Sequence, residues 1–167
     1  MIKYLPTKKS SGYTIIEIII SVFILIIIFS VAQAGYRVFI LEKSLETAKS
    51  QIISDLRLAQ GYAMSGKKPT GCSGLNGYNF TTYITSNSYT ITANCGDNTA
   101  GENVEIKTVE LSRIAKGINI ATDVNITFKI MGMGTNIPEG TSVFFDLNQQ
   151  TTGYTRRITI SSGGDVQ

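Results

Sequence analysis

The residues that could do chemistry are few, and their spacing excludes most reactions. The 167-residue chain has no His, so an ordinary Ser-His or Cys-His nucleophile system cannot be assembled. Beyond Met64 the carboxylates are Asp97, Glu102, Glu105, Glu110, Asp123, Glu139, Asp146 and Asp165. They are scattered, and no pair stands out as a general acid and base. Asp97-Asn98 with Glu102 could take calcium, but the spacing fits no EF-hand loop, and a solvated turn is the simpler account. No metal site, no cofactor and no enzymatic activity are expected.

Cys72 and Cys95 are the only cysteines. Two thiols without His make a poor zinc site, which usually takes four ligands. In an oxidising compartment they are candidates for a disulfide, with two free buried thiols as the alternative. One bridge closing a loop of this size contributes about 3 kcal/mol. Lys67-Lys68 and Arg156-Arg157 form small basic clusters. The net charge of +3 is too weak to imply nucleic-acid binding by itself.

One carboxylate stands apart. Glu17 is the only formal charge in the apolar run from Ile15 to Ala34. That run is long enough to cross a bilayer, which takes about 20 mainly apolar residues. A lone carboxylate at membrane depth costs roughly 2.5–3.5 kcal/mol on insertion scales, so its presence calls for a partner. Lys3, Lys8 and Lys9 precede the run with no acid among them, a bias that keeps the N-terminus cytoplasmic and sends the remainder outward.

Lys8-Lys9-Ser10-Ser11-Gly12-Tyr13-Thr14-Ile15-Ile16-Glu17 resembles the class III signal of type IV pilins and pseudopilins, written Gly-Phe-Thr-Leu-Ile-Glu. Tyr13 replaces the Phe and Ile15 the Leu. The resemblance implies that a prepilin peptidase cuts between Gly12 and Tyr13 and that Tyr13 is then N-methylated. The apolar segment is retained as the first half of a long helix. It also implies that Glu17 meets the N-terminal amine of a neighbouring subunit, an ion pair that offsets the burial of either charge and sets the register of assembly. The partners implied are other pilin or pseudopilin subunits, the peptidase, an inner-membrane assembly platform and membrane lipid. A competing reading comes from Ala32-Gln33-Ala34, which fits the A-x-A site of a conventional secretory signal. Against it, the apolar run exceeds the usual 7–15 residues and contains Glu17.

These residues must be positioned by a long helix and a β-rich domain. After Gly35 the helical pattern continues: Val38, Leu41, Leu45, Ala48, Ile52, Leu56, Ala59 and Ala63 recur at three- and four-residue steps,. Glu42, Lys43, Glu46, Lys49, Asp55 and Arg57 are assigned to the other faces. A helix unbroken from near Tyr13 to near Met64 would be roughly 75–80 Å long. Its second half is amphipathic and needs a cover. Ser65-Gly66-Lys67-Lys68-Pro69 supplies the stop.

From Thr70 the period changes to two. Tyr78 to Ile84 and Tyr89 to Ala93 read as a hairpin joined at Thr85–Ser88, with Gly96 to Asn103 a polar loop. Val104-Ile106 with Val109-Leu111, then Val124 to Ile130, Val143 to Leu147 and Ile158-Ile160 complete the set. The expected class is α+β, with the helix packed on a C-terminal antiparallel sheet. The expected divisions are a leader over 1–12, a transmembrane half-helix over 13–36, an amphipathic half over 37–66 and an extracytoplasmic β-domain over 67–167.

Leu56-Arg57-Leu58-Ala59-Gln60 resembles the Leu-x-x-Ala-Arg stretch of GspH/FimT-type minor pseudopilins. Ile126-Thr127-Phe128 with Gly132 or Gly134, and Ile158–Ser161 with Gly163-Gly164-Asp165-Val166, resemble their later strands and Gly turns. The family's Trp-containing middle is absent. The function implied is that of a structural subunit of a pilus or type II secretion pseudopilus. Some FimT-like proteins bind DNA through basic residues near the C-terminus, and Arg156 and Arg157 are the residues that this alternative offers.

Overall fold

The computed structural model describes residues 12–96 and 102–167. One helix, α1, spans Ile15–Met64 and passes Gly35 without a break. Its start is written in Thr14-Ile15-Ile16-Glu17. The Thr14 Oγ1 accepts from the Glu17 N–H at 3.4 Å, and Thr-x-x-Glu is the capping-box spacing. Its end is closed by Gly66 at φ +61°. The Lys67 N–H bonds to the Tyr62 carbonyl and the Gly66 N–H to the Ala63 carbonyl, the paired closure for which a left-handed Gly is suited.

The chain divides into two compact units, Met1–Phe39 and Ile40–Gln167. In the first, the described large apolar side chains of α1 are exposed, from 44% at Val38 to 81% at Ile15. This part of α1 is long and apolar enough to cross a membrane.

The second unit contains the rest of α1 followed by β1 (Leu75–Tyr83), β2 (Ser88–Cys95), β3 (Glu102–Glu110), α2 (Leu111–Ile114), β4 (Ile118–Ile120), β5 (Asn125–Lys129), β6 (Ser142–Gln149) and β7 (Thr155–Ser161). The fold is α+β, as the alternation implies. The cover of the helix is two antiparallel sheets where one was expected, in orders β3-β2-β1-β5 and β4-β6-β7. Leu111 opens α2 instead of ending a strand, and Ile84 lies in the turn. β4 escaped the period-two reading because Ile-Asn-Ile is too short to register.

The stripe on α1 meets both sheets in one core. Leu45, Ala48, Ile52, Leu56, Ala59 and Ala63 are buried with Tyr78, Phe80, Tyr89 and Ile91 of the first sheet and Phe145, Leu147, Ile158 and Ile160 of the second. Phe80 links the layers, stacking on Tyr89 at 5.2 Å and facing Phe145 at 6.1 Å. Gly77 sits at a register break in β1, where a side chain would collide with the Phe128 carbonyl.

Three of the four sheet edges are closed by the chain itself. Outside β5, Asn136 donates its N–H to the Thr127 carbonyl and accepts the Thr127 N–H on its side-chain oxygen. Outside β7, Thr159 and Gln167 exchange two backbone bonds, and the Ser161 N–H reaches Asp165. Outside β4, Asn87 at φ +47° acts as a strand by proxy. Its amide nitrogen donates to the Ile118 carbonyl at 2.6 Å and its oxygen accepts from the Ile120 N–H at 3.0 Å.

Candidate assembly site

Around the expected processing point, Gly12 and Tyr13 precede α1 and are exposed, with nothing within 4 Å of a side chain built at Gly12. Glu17 is the acidic residue of the first helical turn, where the unsatisfied amides and the helix dipole favour a negative charge. Its side chain is exposed, as are its neighbours Ile15, Ile16, Ile18, Ile19 and Ile20. Geometry therefore brings together a capped start, one carboxylate and an unpacked apolar surface. The helical backbone runs through Ala32-Gln33-Ala34 without interruption, and residues 1–11 of the leader lie outside the described residues.

Cys72 follows the end of α1 and is joined to Cys95 at the end of β2, with a Cα–Cα distance of 5.2 Å. Both are buried. Of the candidate calcium stretch, Asp97 and Asn98 lie outside the described residues. Among the described residues, no group of three or more His, Cys, Asp or Glu could hold a metal.

The basic pairs are engaged locally. Lys67 lies over the Tyr62 ring at 4.2 Å and Lys68 donates to the Ser73 carbonyl at 2.9 Å. Arg156 and Arg157 are adjacent in β7 and so point to opposite faces. Arg156 is in step with Ile158 and Ile160, and reaches α1, where it bonds Glu42 at 3.0 Å and Glu46 at 3.1 Å. It thereby relieves the repulsion of two acids one helical turn apart. Arg157 faces outward, grips Asp146 with two bonds of 2.9 Å and lies 4.0 Å over the Phe144 ring. Those hydrogen bonds pull the Asp146 carboxyl below its ordinary value, against a smaller opposing effect of burial, and raise that of Arg157. Two arginines on opposite faces, each matched by carboxylate, do not form one basic patch.

One group of residues was missed. Asp55, assigned to the polar face of α1, is 3% exposed. Its two oxygens accept from Lys107 at 2.8 Å and from the Tyr89 hydroxyl at 2.6 Å. Burial, and after it the bond to Asp55, pushes the Tyr89 phenol well above its ordinary value. The signal was present: Asp55 is three residues after Ile52 and four before Ala59, within the stripe. A buried carboxylate must be paired, and Lys107 on β3 and Tyr89 on β2 supply the pair. This network fixes α1 on the first sheet.

Residues 48–164 match the family model described as type II transport protein GspH. The chain belongs to the GspH family. No curated protein and no solved structure gives a significant match. The matched span covers most of the packed part of α1 and all seven strands. Membership in this family supports a type II secretion pseudopilin role and a structural rather than an enzymatic one.

Proposed function

We propose that this GspH-family chain is a structural, minor subunit of a type II secretion pseudopilus. Prepilin peptidase cuts between Gly12 and Tyr13, Tyr13 is N-methylated, and the segment after it stays in the inner membrane until it enters the filament. The globular unit lies outside the cytoplasm. The observation that carries this reading is the pairing of a domain matched to the family with an apolar, unpacked helical segment whose one acid is Glu17.

In a filament, neighbouring helices would cover that segment, since apolar helices with no cover of their own associate through packing and interhelical polar contacts. Glu17 would meet the amine of Tyr13 on an adjoining subunit. Each charge alone is costly in lipid, and pairing offsets the cost. A nucleic-acid role draws no support from Arg156 and Arg157, whose charges are matched within the domain.

N-terminal sequencing of the membrane form tests the processing step: Tyr13 is expected as the first residue. A mature chain beginning at Gly35 would establish ordinary secretion instead, and one beginning at Met1 would overturn processing. Gly12→Val should leave the precursor uncut. Glu17→Ala should leave cleavage intact and abolish recovery of the subunit in sheared filaments; normal recovery would remove the assembly role of the carboxylate.

A further inference from the structure

We propose that the outer edge of β3 is a docking edge for an extended, Lys- or Arg-bearing segment of another protein, which adds to the first sheet as a fifth strand. This goes beyond the filament reading, because it concerns the globular unit and does not involve the apolar helix.

The first support is the treatment of the other edges. β4, β5 and β7 are each closed by backbone or by an Asn side chain that imitates a strand. An open row of N–H and C=O groups invites pairing with another chain, and proteins usually cover such rows. Among the described residues, β3 has no backbone bond on its outer side. Its ladder to β2, continued by the Leu111 N–H to the Asn87 carbonyl, turns the backbone groups of Asn103, Glu105, Thr108 and Glu110 outward. All four of these residues are exposed.

The second support is charge. β3 carries Glu102, Glu105 and Glu110 against a single cation, Lys107. That cation is turned inward onto Asp55 at 2.8 Å and Glu110 is paired with Arg113 of α2 at 3.2 Å, so the acidic excess of the edge rests on Glu102 and Glu105. A second copy of this chain is a less complementary occupant: antiparallel pairing through the outward groups would set Asn103 against Glu110 and Glu105 against Thr108 and bring no cation to the acids. A segment with Lys or Arg at alternate positions would place its cations beside these acids and its backbone on the open groups.

The register break between Ile91 and Thr92, where Ile106 is the extra residue, divides the edge into two short runs. Bulges on edges discourage long, flat pairing. The docking is accordingly short, weak and charge-dependent.

The test uses the full chain in a zwitterionic detergent and a capped Lys-Val-Lys-Val-Lys-Val-Lys peptide. Amide hydrogen exchange at Asn103, Glu105, Thr108 and Glu110 should be fast in the free protein and slow by about tenfold or more with saturating peptide. Affinity should fall about tenfold in Glu105→Lys with Glu110→Lys, the size of two lost or reversed charge contacts. A peptide N-methylated at alternate residues should not protect these amides. No protection by the lysine peptide, or equal protection by the Glu-Val analogue, would overturn the proposal. Equal binding of the N-methylated peptide would reduce it to charge attraction without a strand. Slow exchange in the free protein that depends on protein concentration would assign the edge to a second copy.

Discussion

The two stretches of α1 are built for different surroundings. In the Met1–Phe39 unit the described large apolar residues of the helix are exposed on all its faces. In the Ile40–Gln167 unit most of them fall on a stripe that is buried to the last atom at Leu45, Ala48, Ile52, Leu56 and Ala59, while Lys43, Glu46, Ser50, Ser54 and Arg57, with Leu58 among them, take the open side. A helix apolar all round is suited to lipid or to a crowd of other helices, whereas an amphipathic one draws its stability from a cover of its own chain. The lesson is that the same side chain, leucine or isoleucine, serves the fold in one stretch and is left outside it in the other.

The largest expected effect tests that division directly. Leu56→Ala removes a fully buried side chain from the core and should lower the stability of the globular unit by about 2–5 kcal/mol. Ile24→Ala should change the same denaturant midpoint by no more than about 0.5 kcal/mol. Equal losses would show that the first stretch is folded against something within the chain, and the comparison would fail.

Next in size is the bridge. Cys72 and Cys95 are 23 residues apart, so replacing both with Ser should cost about 3 kcal/mol by releasing the loop in the unfolded chain. Unfolding with and without reductant measures it. The effect should be confined to the globular unit, which sharpens the contrast with the helical segment lacking any such tie.

The Asp55 network comes third. Asp55→Ala leaves the Tyr89 hydroxyl buried without its acceptor and should cost about 2–3 kcal/mol. The pair also predicts an alkaline limb. Tyr89 holds its proton above its ordinary range when folded, whereas an unfolded tyrosine loses it near pH 10. The stabilisation is therefore complete below about pH 10 and declines as the pH climbs toward the folded value. Tyr89→Phe should flatten that decline; an unchanged slope would remove Tyr89 as its source.

Much of this contrast was legible in the residues. The 3.6-residue stripe, the stop at Ser65–Pro69 and the period-two runs place α1 and most strands, because each rests on local side-chain spacing. What escaped depends on contacts far apart in the chain. Asp55 reads as polar until Lys107 and Tyr89 are brought to it. Arg156 and Arg157 read as a basic pair until strand alternation separates them, although the in-step Ile158 and Ile160 already mark Arg156 as inward. The two-sheet order and the role of Asn87 as a surrogate strand have no local signature. The beginning of α1 is a special case: Thr14 and Glu17 are spaced as a cap, a local rule that falls on the acid proposed above for assembly.

The smallest effect concerns the outer face of the second sheet, at Asp146 and Arg157. Arg157 holds the Asp146 carboxyl below its ordinary value, and an unfolded aspartate titrates near pH 3.9. A group with a lowered folded value contributes above the unfolded value and loses its contribution as the pH falls through the folded one. The loss should therefore appear below about pH 4, as a shallow fall in melting temperature that Asp146→Asn removes. Because Asp146 and Arg157 are partly open to solvent, salt should shrink the effect. A steep acid transition that survives Asp146→Asn would place acid sensitivity elsewhere in the chain and remove this pair as its source.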